Sequence, residues 1–446
     1  MLQIYYPENV KYILTALENH GFEAYVVGGC VRDSLLGINV NDWDITTSAE
    51  PTETIECFNM HKLILTGIKH GTVGVIISGT VYEITSFRHD GEYLDNRHPQ
   101  NVTFTKSLTE DLKRRDFTIN ALAYSHKAGL IDLFGGRDDL SQGIIKCVGE
   151  PEKRFTEDAL RIMRALRFSA SLGFKIESDT SGAMLRNKRL LCNVSVERIA
   201  SEFNKILCSD TPSKIIQKYK EIFFVIIPEL SEMFGFEQHT PHHDKDVWQH
   251  TLCALDNVQN SLVERLAMLF HDISKPLMLK IDADGVGHFH GHALLSESIS
   301  RNILRRMHYP NSAINDVADI IRYHESLRKI DAVGLKKIIN LIGVSNTDKL
   351  LNVNLADILA QSNYRREEKL NDCAQKRKMF TQIIQNNECT SLKQLKLNGE
   401  NLINIGITDG KTIGHILTEL LNAVIEGKVE NNKEKLLDFV SKNFVY

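Results

Sequence analysis

The apolar positions near the start of the chain repeat with the period of a helix. They are Val10, Ile13, Leu14 and Leu17. Gly21 follows the last of them as a helix stop signal. From there to about residue 125, short runs rich in β-branched and aromatic residues alternate with Gly and Asn. These runs predict strands at 25–27, 43–46, 73–77 and 81–87.

The pattern changes after Leu130–Gly136, which predicts a last strand and turn. Beyond it, apolar residues recur with helical spacing almost to the end of the chain. The predicted fold class is therefore α+β: a small mixed-sheet head followed by helical domains.

Composition limits the class of protein. A chain of 446 residues with 42% hydrophobic content is long enough for two to four domains with real cores. The net charge of −4 means that RNA binding would depend on local basic patches. The eight cysteines include no Cys-x-x-Cys pair, which fits a reducing cytoplasm. No secretion signal and no run of about eighteen apolar residues is visible, so we expect no membrane contact.

Two carboxylates stand out in the segment 41–45. If this segment is a strand, Asp42 and Asp44 point the same way and can hold one or two hard divalent cations. Upstream, Gly28 and Gly29 would let backbone N–H groups approach phosphate oxygens at the start of a helix. A solvated strand end and an ordinary turn explain the same residues. A third carboxylate, Glu83, lies on a later predicted strand and is either a further metal ligand or a surface residue.

Basic residues follow in two places. Three consecutive cations at 113–115 lie beside a predicted amphipathic helix start and suit phosphate binding, although such runs are usually solvated. A predicted helix over 156–168 places Asp158, Arg161 and Arg164 on one face. An Asp beside an Arg can read a base edge, because the acid accepts from an exocyclic amine while Arg donates. The same spacing also describes an exposed salt bridge.

Several of these strings resemble one family. They are Gly28 to Gly37, Asp42 to Ile45, Arg114 to Ala121 and Glu157 to Arg161. Together they resemble the class II tRNA nucleotidyltransferases and bacterial poly(A) polymerases, within the DNA polymerase beta-like nucleotidyltransferase superfamily. The resemblance implies template-independent addition of C, C and A to the 3′ end of tRNA from CTP and ATP. It also implies Mg²⁺ held by Asp42 and Asp44, with Glu83 as a catalytic carboxylate.

The resemblance extends to the nucleotide site. It implies nucleotide-binding roles for Gly28, Gly29, Arg32, Arg115, Asp158, Arg161, Arg164 and Arg167. Asp158 and Arg161 would select the base. A polar segment at 88–99 predicts a mobile loop, which resembles the loop of enzymes that complete all three additions. A poly(A) polymerase or an enzyme adding only A is the nearest alternative. An enzyme of another class, a phosphohydrolase with an RNA-binding head, is the second.

More than half of the 17 histidines fall between residues 239 and 324. His271 and Asp272 end an apolar run at 262–270, where imidazole and carboxylate can bind one ion or bridge two. With more distant His and Asp residues, the pair resembles the HD-type phosphohydrolases. The ligands implied are His250, His271, Asp272, His292, His324 and Asp357. Such a set suits Mn²⁺, Ni²⁺, Co²⁺ or Zn²⁺, and a metal-activated water would attack a terminal or 2′,3′-cyclic phosphate.

The predicted domains follow these motifs. They are a nucleotidyltransferase head at 1–145, a helical neck and body at 146–235, an HD-type domain at 236–360 and a tRNA-binding tail at 361–446. Ser195 to Ile199 with Glu202 resembles a structural motif of the family's neck, and we assign it no chemistry. The sequence leaves the oligomeric state open.

Overall fold

A computed structural model describes residues 3–91 and 102–444. The chain divides into two units, Met1–Ile226 and Ile227–Tyr446. The four predicted domains form a finer division, which stays a prediction. No helix among the described residues is long and apolar enough to cross a membrane. The predicted fold class is confirmed, because a mixed sheet in the first unit is followed by helices.

A seven-stranded sheet forms the head of the first unit, with strand order β3-β4-β5-β2-β1-β8-β9. The strands of this unit are β1 (Ala24–Val27), β2 (Ile45–Thr47), β3 (Lys62–Ile64), β4 (Thr72–Ile77), β5 (Thr80–Ser86), β6 (Arg88–Asp90), β7 (Val102–Phe104), β8 (Leu122–Ser125), β9 (Gly129–Asp132), β10 (Ile144–Ile145) and β11 (Lys175–Ile176). Within the sheet β2 and β5 are parallel, and the other neighbours are antiparallel. The four predicted strands of the head are confirmed.

Two local predictions for the head are wrong. Strand β2 begins at Ile45, so Asp42 and Asp44 lie on the loop before it rather than on the strand. The predicted helix start after the 113–115 cations is instead a 3₁₀ turn followed by β8. The predicted loop at 88–99 begins with β6, which pairs with β7. Its residues 92–99 lie outside the described residues.

The first helices of this unit pack against strands of the sheet, and the later ones form the neck. They are α1 (Glu8–Asn19), α2 (Gly29–Leu35), α3 (Pro51–Cys57), α4 (Leu108–Lys113), α5 (Gly136–Gln142), α6 (Pro151–Glu157), α7 (Leu160–Leu172), α8 (Ser178–Asn187), α9 (Val196–Leu207), α10 (Pro212–Lys218) and α11 (Lys220–Ile226). The apolar face predicted for α1 is buried in the core of the head.

The predicted helix over 156–168 is interrupted. Helix α6 ends at Glu157, Asp158 has extended backbone angles (φ −137°, ψ 102°), and α7 begins at Leu160. The Asp158 carboxylate accepts a hydrogen bond from the Leu160 N–H at 3.1 Å. The prediction that Asp158 shares a helix face with Arg161 and Arg164 is therefore wrong, because an Asp that binds the backbone two residues on favours a turn.

The described part of the second unit, residues 227–444, is helical apart from one small hairpin. Its helices are α12 (Val247–Asn257), α13 (Leu262–Phe270), α14 (Lys275–Met278), α15 (His292–Arg306), α16 (Asn311–Tyr323), α17 (Ala332–Ala360), α18 (Arg366–Gln385), α19 (Gly399–Ile403), α20 (Gly410–Ile425) and α21 (Lys433–Asn443), and its strands are β12 (Lys280–Ile281) and β13 (Gly287–His288). Helices α12, α13, α16 and α17 pack against one another. Helix α17 is broken at Gly343, where φ is +80°.

Candidate active site and candidate metal centre

A cleft of about 600 Å³ opens between the head sheet and helix α7 of the first unit. Ten of the eleven predicted residues of the head and neck line it, all except Glu83, so the cleft brings together motifs more than 100 residues apart in sequence. They are Gly28, Gly29, Arg32, Asp42, Asp44, Arg115, Asp158, Arg161, Arg164 and Arg167. Glu83 lies on β5, the parallel neighbour of the strand that follows Asp44.

The turn at Gly28 requires glycine. Its φ is +78°, and its N–H donates to the Leu122 carbonyl at 3.0 Å, which ties the turn to β8. A Cβ at this position would lie 3.2 Å from Arg115 Nη1. Any larger residue would therefore be strained and would displace a cation of the cleft.

Three carboxylates lie close together at this site, and two of them, Asp42 and Asp44, line the cleft. Asp42, Asp44 and Glu83 are all exposed, and the register of Ile45 with Ile84 places Glu83 beside Asp44. The pKa of Asp44 is raised, because the surrounding protein reduces its hydration and because Asp42 and Glu83 add negative charge. Carboxylates that repel one another in this way fit a site for a hard divalent cation.

A hydrogen-bond chain joins two cationic residues of the cleft. Arg32 donates to Asn120 Oδ1 at 2.7 Å, and the Asn120 amide donates to Asp116 Oδ1 at 3.1 Å. The other oxygen of Asp116 accepts from Arg164 Nε at 2.7 Å. Burial alone would raise the pKa of Asp116, but Arg164 and Asn120 outweigh it and hold the pKa at about 2. The sequence analysis missed Asp116 and Asn120, although both lie in the string that carries the resemblance.

The buried carboxylate of Asp111 pairs with two cations of the basic run at 113–115. Asp111 Oδ1 accepts from Arg114 Nη2 at 2.6 Å, and Asp111 Oδ2 accepts from Arg115 Nη2 at 3.1 Å. Asp111 is fully buried in the first turn of α4. Its spacing of three and four residues from the two arginines is the signal that would have found it. The pairing fixes Arg115 toward the cleft.

The two predicted base-reading residues are anchored on the neck. Asp158 Oδ2 accepts from Arg198 Nη2 at 3.0 Å. Arg161 is buried and donates to Glu157 Oε2 at 2.8 Å and to the Arg114 carbonyl at 2.9 Å. Both side chains are thus held in place before any nucleotide is bound.

Three guanidinium groups surround one aromatic ring at the neck side of the cleft. Their carbon atoms lie 4.9, 5.4 and 3.9 Å from the centroid of Phe168 for Arg32, Arg164 and Arg167. Arg167 also donates to the buried Glu202 at 2.5 Å. Stacking on the ring face holds the cations while leaving their N–H groups directed elsewhere.

In the second unit, all six residues predicted as metal ligands converge. His250 lies on α12, His271 and Asp272 follow α13, His292 begins α15, His324 ends α16 and Asp357 lies on α17. Asp272 is 1% exposed and stands at the centre. Its Oδ2 lies 3.1 Å from His271 Nε2, and its Oδ1 lies 3.2 Å from His292 Nε2.

Two overlapping groups of ligand atoms result, and they share Asp272. One comprises His250, His271 and Asp272, and the other comprises Asp272, His292 and His324. Within each group the atoms lie within 4.8 Å of one another. Asp357 Oδ1 lies 2.9 Å from His250 Nε2 and 3.8 Å from His271 Nε2, which adds a second carboxylate to the first group.

Backbone carbonyls orient three of the imidazoles. The Nδ1 atoms of His271, His292 and His324 lie 2.7, 2.8 and 2.6 Å from carbonyls of the preceding turn. An N–H at Nδ1 leaves a lone pair on Nε2, the form that ligates metals. Burial lowers the pKa of His324 to about 3, which keeps it neutral. The Nε2 atoms of His292 and His324 are 3.1 Å apart, and two facing lone pairs favour a bound cation.

Two neighbours of this cluster were missed. Lys275 Nζ lies 2.7 Å from Asp272 Oδ2, and the ring of His243 meets that of His250 with centroids 4.5 Å apart. Lys275 follows Asp272 by three residues and His243 lies in the His-rich run before α12. The spacing of three residues from Asp272 is the signal that would have found Lys275, whereas only the fold brings His243 to the cluster.

The geometry of the first unit is that of a nucleotidyltransferase, with carboxylates and arginines facing each other across a cleft on a mixed sheet. Residues 24–146 match the family model of the poly A polymerase head domain. Residues 173–234 match the probable RNA and SrmB-binding site of polymerase A. Residues 292–440 match a putative tRNA nucleotidyltransferase domain 2.

Comparison with known proteins identifies the family within the nucleotidyltransferases. The chain is 35% identical over 448 residues to a CCA-adding enzyme of Ligilactobacillus salivarius, covering 98% of this chain and 97% of the relative. A second CCA-adding enzyme, from Lactobacillus johnsonii, is 34% identical over 97% of this chain and 96% of its own length. The chain belongs to the CCA-adding enzyme family.

Solved structures agree with this assignment. The CCA-adding enzyme of Bacillus stearothermophilus in complex with CTP superposes with a TM-score of 0.70 at 30% identity, covering 98% of this chain and 96% of that one. The fold is also that of the Thermotoga maritima CCA-adding enzyme, with a TM-score of 0.64 at 22% identity over 99% and 97% of the two chains.

Proposed function

We propose that this chain adds C, C and A to the 3′ end of tRNA from CTP and ATP without a nucleic-acid template. The observation that carries the proposal is the single cleft in which head carboxylates, phosphate-binding cations and the neck residues Asp158 and Arg161 meet. Family membership supports it, as do the bound CTP of the Bacillus stearothermophilus structure and the bound tRNA of the Thermotoga maritima structure. A cytoplasmic location stays a prediction from composition.

Nucleotidyltransferases of this family use a divalent metal, generally Mg²⁺. Asp42 and Asp44 would hold it, with Glu83 as an additional carboxylate. When bound, the metal neutralises triphosphate charge and favours ionisation of the attacking hydroxyl.

The chain's own residues would orient the nucleotide in line for attack. Arg32 and Arg115, fixed by Asn120 and Asp111, present N–H donors to phosphate oxygens, with Gly28 and Gly29 allowing close approach. The 3′-hydroxyl attacks the α-phosphorus and pyrophosphate leaves, so no covalent enzyme intermediate is needed.

Base selection follows from the chemistry of a fixed acid and a fixed cation. Cytosine and adenine both carry an exocyclic amine at the position where uracil and guanine carry a carbonyl oxygen. An ionised Asp158 accepts from the amine and repels the oxygen, while Arg161 donates to ring or carbonyl acceptors. Arg164 and Arg167 would contact phosphate or RNA beside Phe168.

The test is stepwise extension of tRNA that lacks its last three nucleotides, with each nucleotide supplied alone and then together. We expect two C additions with CTP, one A addition after them with ATP, and then a stop. Continued A addition on unrelated RNA would identify a poly(A) polymerase, and A addition only to tRNA ending in CC would identify an A-adding enzyme. Either result contradicts the proposal.

A second function is supported by the buried His and Asp cluster. Two ligand groups that share Asp272 fit a pair of transition-metal ions, such as Mn²⁺, Ni²⁺, Co²⁺ or Zn²⁺. When bound, such ions acidify water for attack on a phosphoester. The chain's contribution is a set of preoriented imidazoles and a cation, Lys275, within reach of the shared carboxylate. We propose hydrolysis of terminal or 2′,3′-cyclic phosphates at RNA 3′ ends.

The metal-depleted protein is supplied with each of the four metals in turn, and two products are measured: inorganic phosphate released from RNA ending in a 3′-phosphate, and the 2′- or 3′-phosphate formed by ring opening of RNA ending in a 2′,3′-cyclic phosphate. We expect activity with at least one of them and loss of that activity in His271→Ala. No hydrolysis with any of the four metals contradicts the second function and leaves the nucleotidyltransferase proposal unaffected.

A further inference from the structure

Helix α9 carries two charged side chains that stand behind the nucleotide cleft. Arg198 Nη2 donates to Asp158 Oδ2 at 3.0 Å, and Glu202 Oε2 accepts from Arg167 Nε at 2.5 Å. Asp158 and Arg167 line the cleft. The α9 residues therefore contact the residues that face a nucleotide, from the side away from it.

The two contacts come from one face of one rigid element. Arg198 and Glu202 are four residues apart and lie on the same face of α9. The adjacent face of the helix is apolar, and its residues Ile199, Phe203 and Ile206 are buried. Helix α9 packs along α7, so its charged face has a fixed position relative to the start of that helix.

Asp158 needs such an external support. It lies between α6 and α7 with extended backbone angles, so neither helix sets the direction of its side chain. Two donors hold its carboxylate: the Leu160 N–H binds Oδ1 and Arg198 binds Oδ2. Because the Leu160 N–H is a local contact within the turn, Arg198 is the donor that fixes the carboxylate relative to the rest of the neck.

Arg198 also has a second donor with which it can stay paired if the Asp158 carboxylate turns. Its Nη1 is buried and has no hydrogen-bond partner among the described residues. A carboxylate that turns toward a base amine can therefore stay paired, with Nη1 taking over part of the contact. A guanidinium can do this because its donors form a planar fork, whereas a lysine has a single charged centre.

We propose that Arg198 is a positioning residue for nucleotide selection: it sets the direction of the Asp158 carboxylate and thereby the preference for bases that carry an exocyclic amine. This inference rests on the proposed nucleotidyltransferase function. Glu202 plays the corresponding part for Arg167, which contacts Phe168. Arg198 acts through Asp158 and does not itself touch the nucleotide.

The experiment compares Arg198→Ala, Arg198→Lys and Lys205→Ala in the full-length protein. Lys205 is an exposed residue of the same helix and serves as the matched control. For each variant, kcat and KM are measured with CTP, UTP, ATP and GTP on tRNA ending at the position before the incoming nucleotide. Arg198→Ala should lower the preference for CTP over UTP and for ATP over GTP by about tenfold, the loss expected for one charge-assisted hydrogen bond.

Arg198→Lys should recover part of the preference, and Lys205→Ala should leave it unchanged. An equal fall of kcat/KM for all four nucleotides in both Arg198 variants would show a purely structural role and overturn the inference. If thermal unfolding shows that Arg198→Ala does not fold, Arg198→Lys decides, and full wild-type preference in that variant counts against the inference. A wild-type protein that adds no C or A contradicts the proposed function instead.

Discussion

The two candidate sites of this chain are built in opposite ways. In the first unit the carboxylates Asp42 and Asp44 are exposed at the edge of an open cleft, and the residues held by hydrogen bonds are mainly cations. In the second unit His271 and Asp272 are each 1% exposed, and the fixed residues are the metal ligands themselves. This contrast is the one expected if the first site receives a large charged substrate and the second binds metal ions, as we propose.

The two sites differ because different groups balance the negative charge in each of them. A triphosphate brings its own negative charge, so the cleft needs preoriented cations and room, while its metal ligands can remain accessible. A buried cluster has no such partner, and its carboxylates must be neutralised by imidazoles, Lys275 or ions. We therefore expect different activities to be lost when residues of the two sites are substituted.

The largest expected effect is loss of nucleotide addition on removal of the exposed carboxylates. Asp42→Ala and Asp44→Ala should each lower kcat by on the order of 10³-fold or more, because each substitution removes a carboxylate proposed to ligate the metal. Primer extension on truncated tRNA measures this, with the exposed Asp138→Ala as control. Loss of phosphate hydrolysis in the same variants would break the distinction between the sites.

Substitutions in the buried cluster come next. His271→Ala and Asp272→Ala should abolish hydrolysis of RNA 3′-phosphates and lower the Mn²⁺ bound per chain, while CCA addition stays within about twofold of wild type. Metal content by mass spectrometry and both activity assays check this. His415→Ala, an exposed histidine outside the cluster, should change neither. Equal loss of both activities would contradict independent sites.

A smaller effect concerns base choice. Asp158→Ala should relax discrimination against UTP and GTP by about tenfold, because the acceptor for the exocyclic amine is removed. Mg²⁺ dependence should be unchanged, since Asp158 lies on the neck side of the cleft. Competition assays with mixed nucleotides measure the ratio. Unchanged selectivity would show that Asp158 does not read the base.

The smallest effect on activity is expected at Asp116, where the change is mainly in stability. Its pKa of about 2 lies below the ordinary value of 3.8, so its ionised form stabilises the folded state above pH 4. That contribution, about 2 kcal/mol, should be lost as the pH falls from about 4 to 2. Asp116→Asn should lower the free energy of unfolding by this amount at pH 7 and flatten its acid dependence. Denaturant unfolding at several pH values tests this, and parallel curves for the two proteins would contradict it.

Much of the fold followed from local pattern. The strands of the head and helix α1 lie where the apolar pattern and the glycines predicted them, because these short elements are defined by burial on one face. The break at Asp158 was missed because helical periodicity continues across it, and only the side-chain contact with Leu160 N–H ends the first helix. Helix propensity gives no sign of such a competing contact.

The sites were predictable to a different extent. Residue types and family-like sequence motifs predicted the side chains that form the two sites. Among them are His250 and Asp357, which are 107 residues apart in sequence and whose Nε2 and Oδ1 atoms lie 2.9 Å apart. The supporting residues Asp111, Asp116, Arg198 and Glu202 were not assigned a role. Each is an ordinary charged residue in sequence and gains its role only from the partner that the fold brings to it.

One substrate tests the central claim most directly, because it requires both sites in succession. Truncated tRNA ending in a 3′-phosphate cannot be extended until the phosphate is removed. The wild-type protein with CTP, ATP, Mg²⁺ and the activating transition metal should extend it to CCA, whereas His271→Ala should extend only the matching tRNA with a free 3′-hydroxyl. If His271→Ala extends both substrates equally well, or neither, the account of two independent sites is wrong.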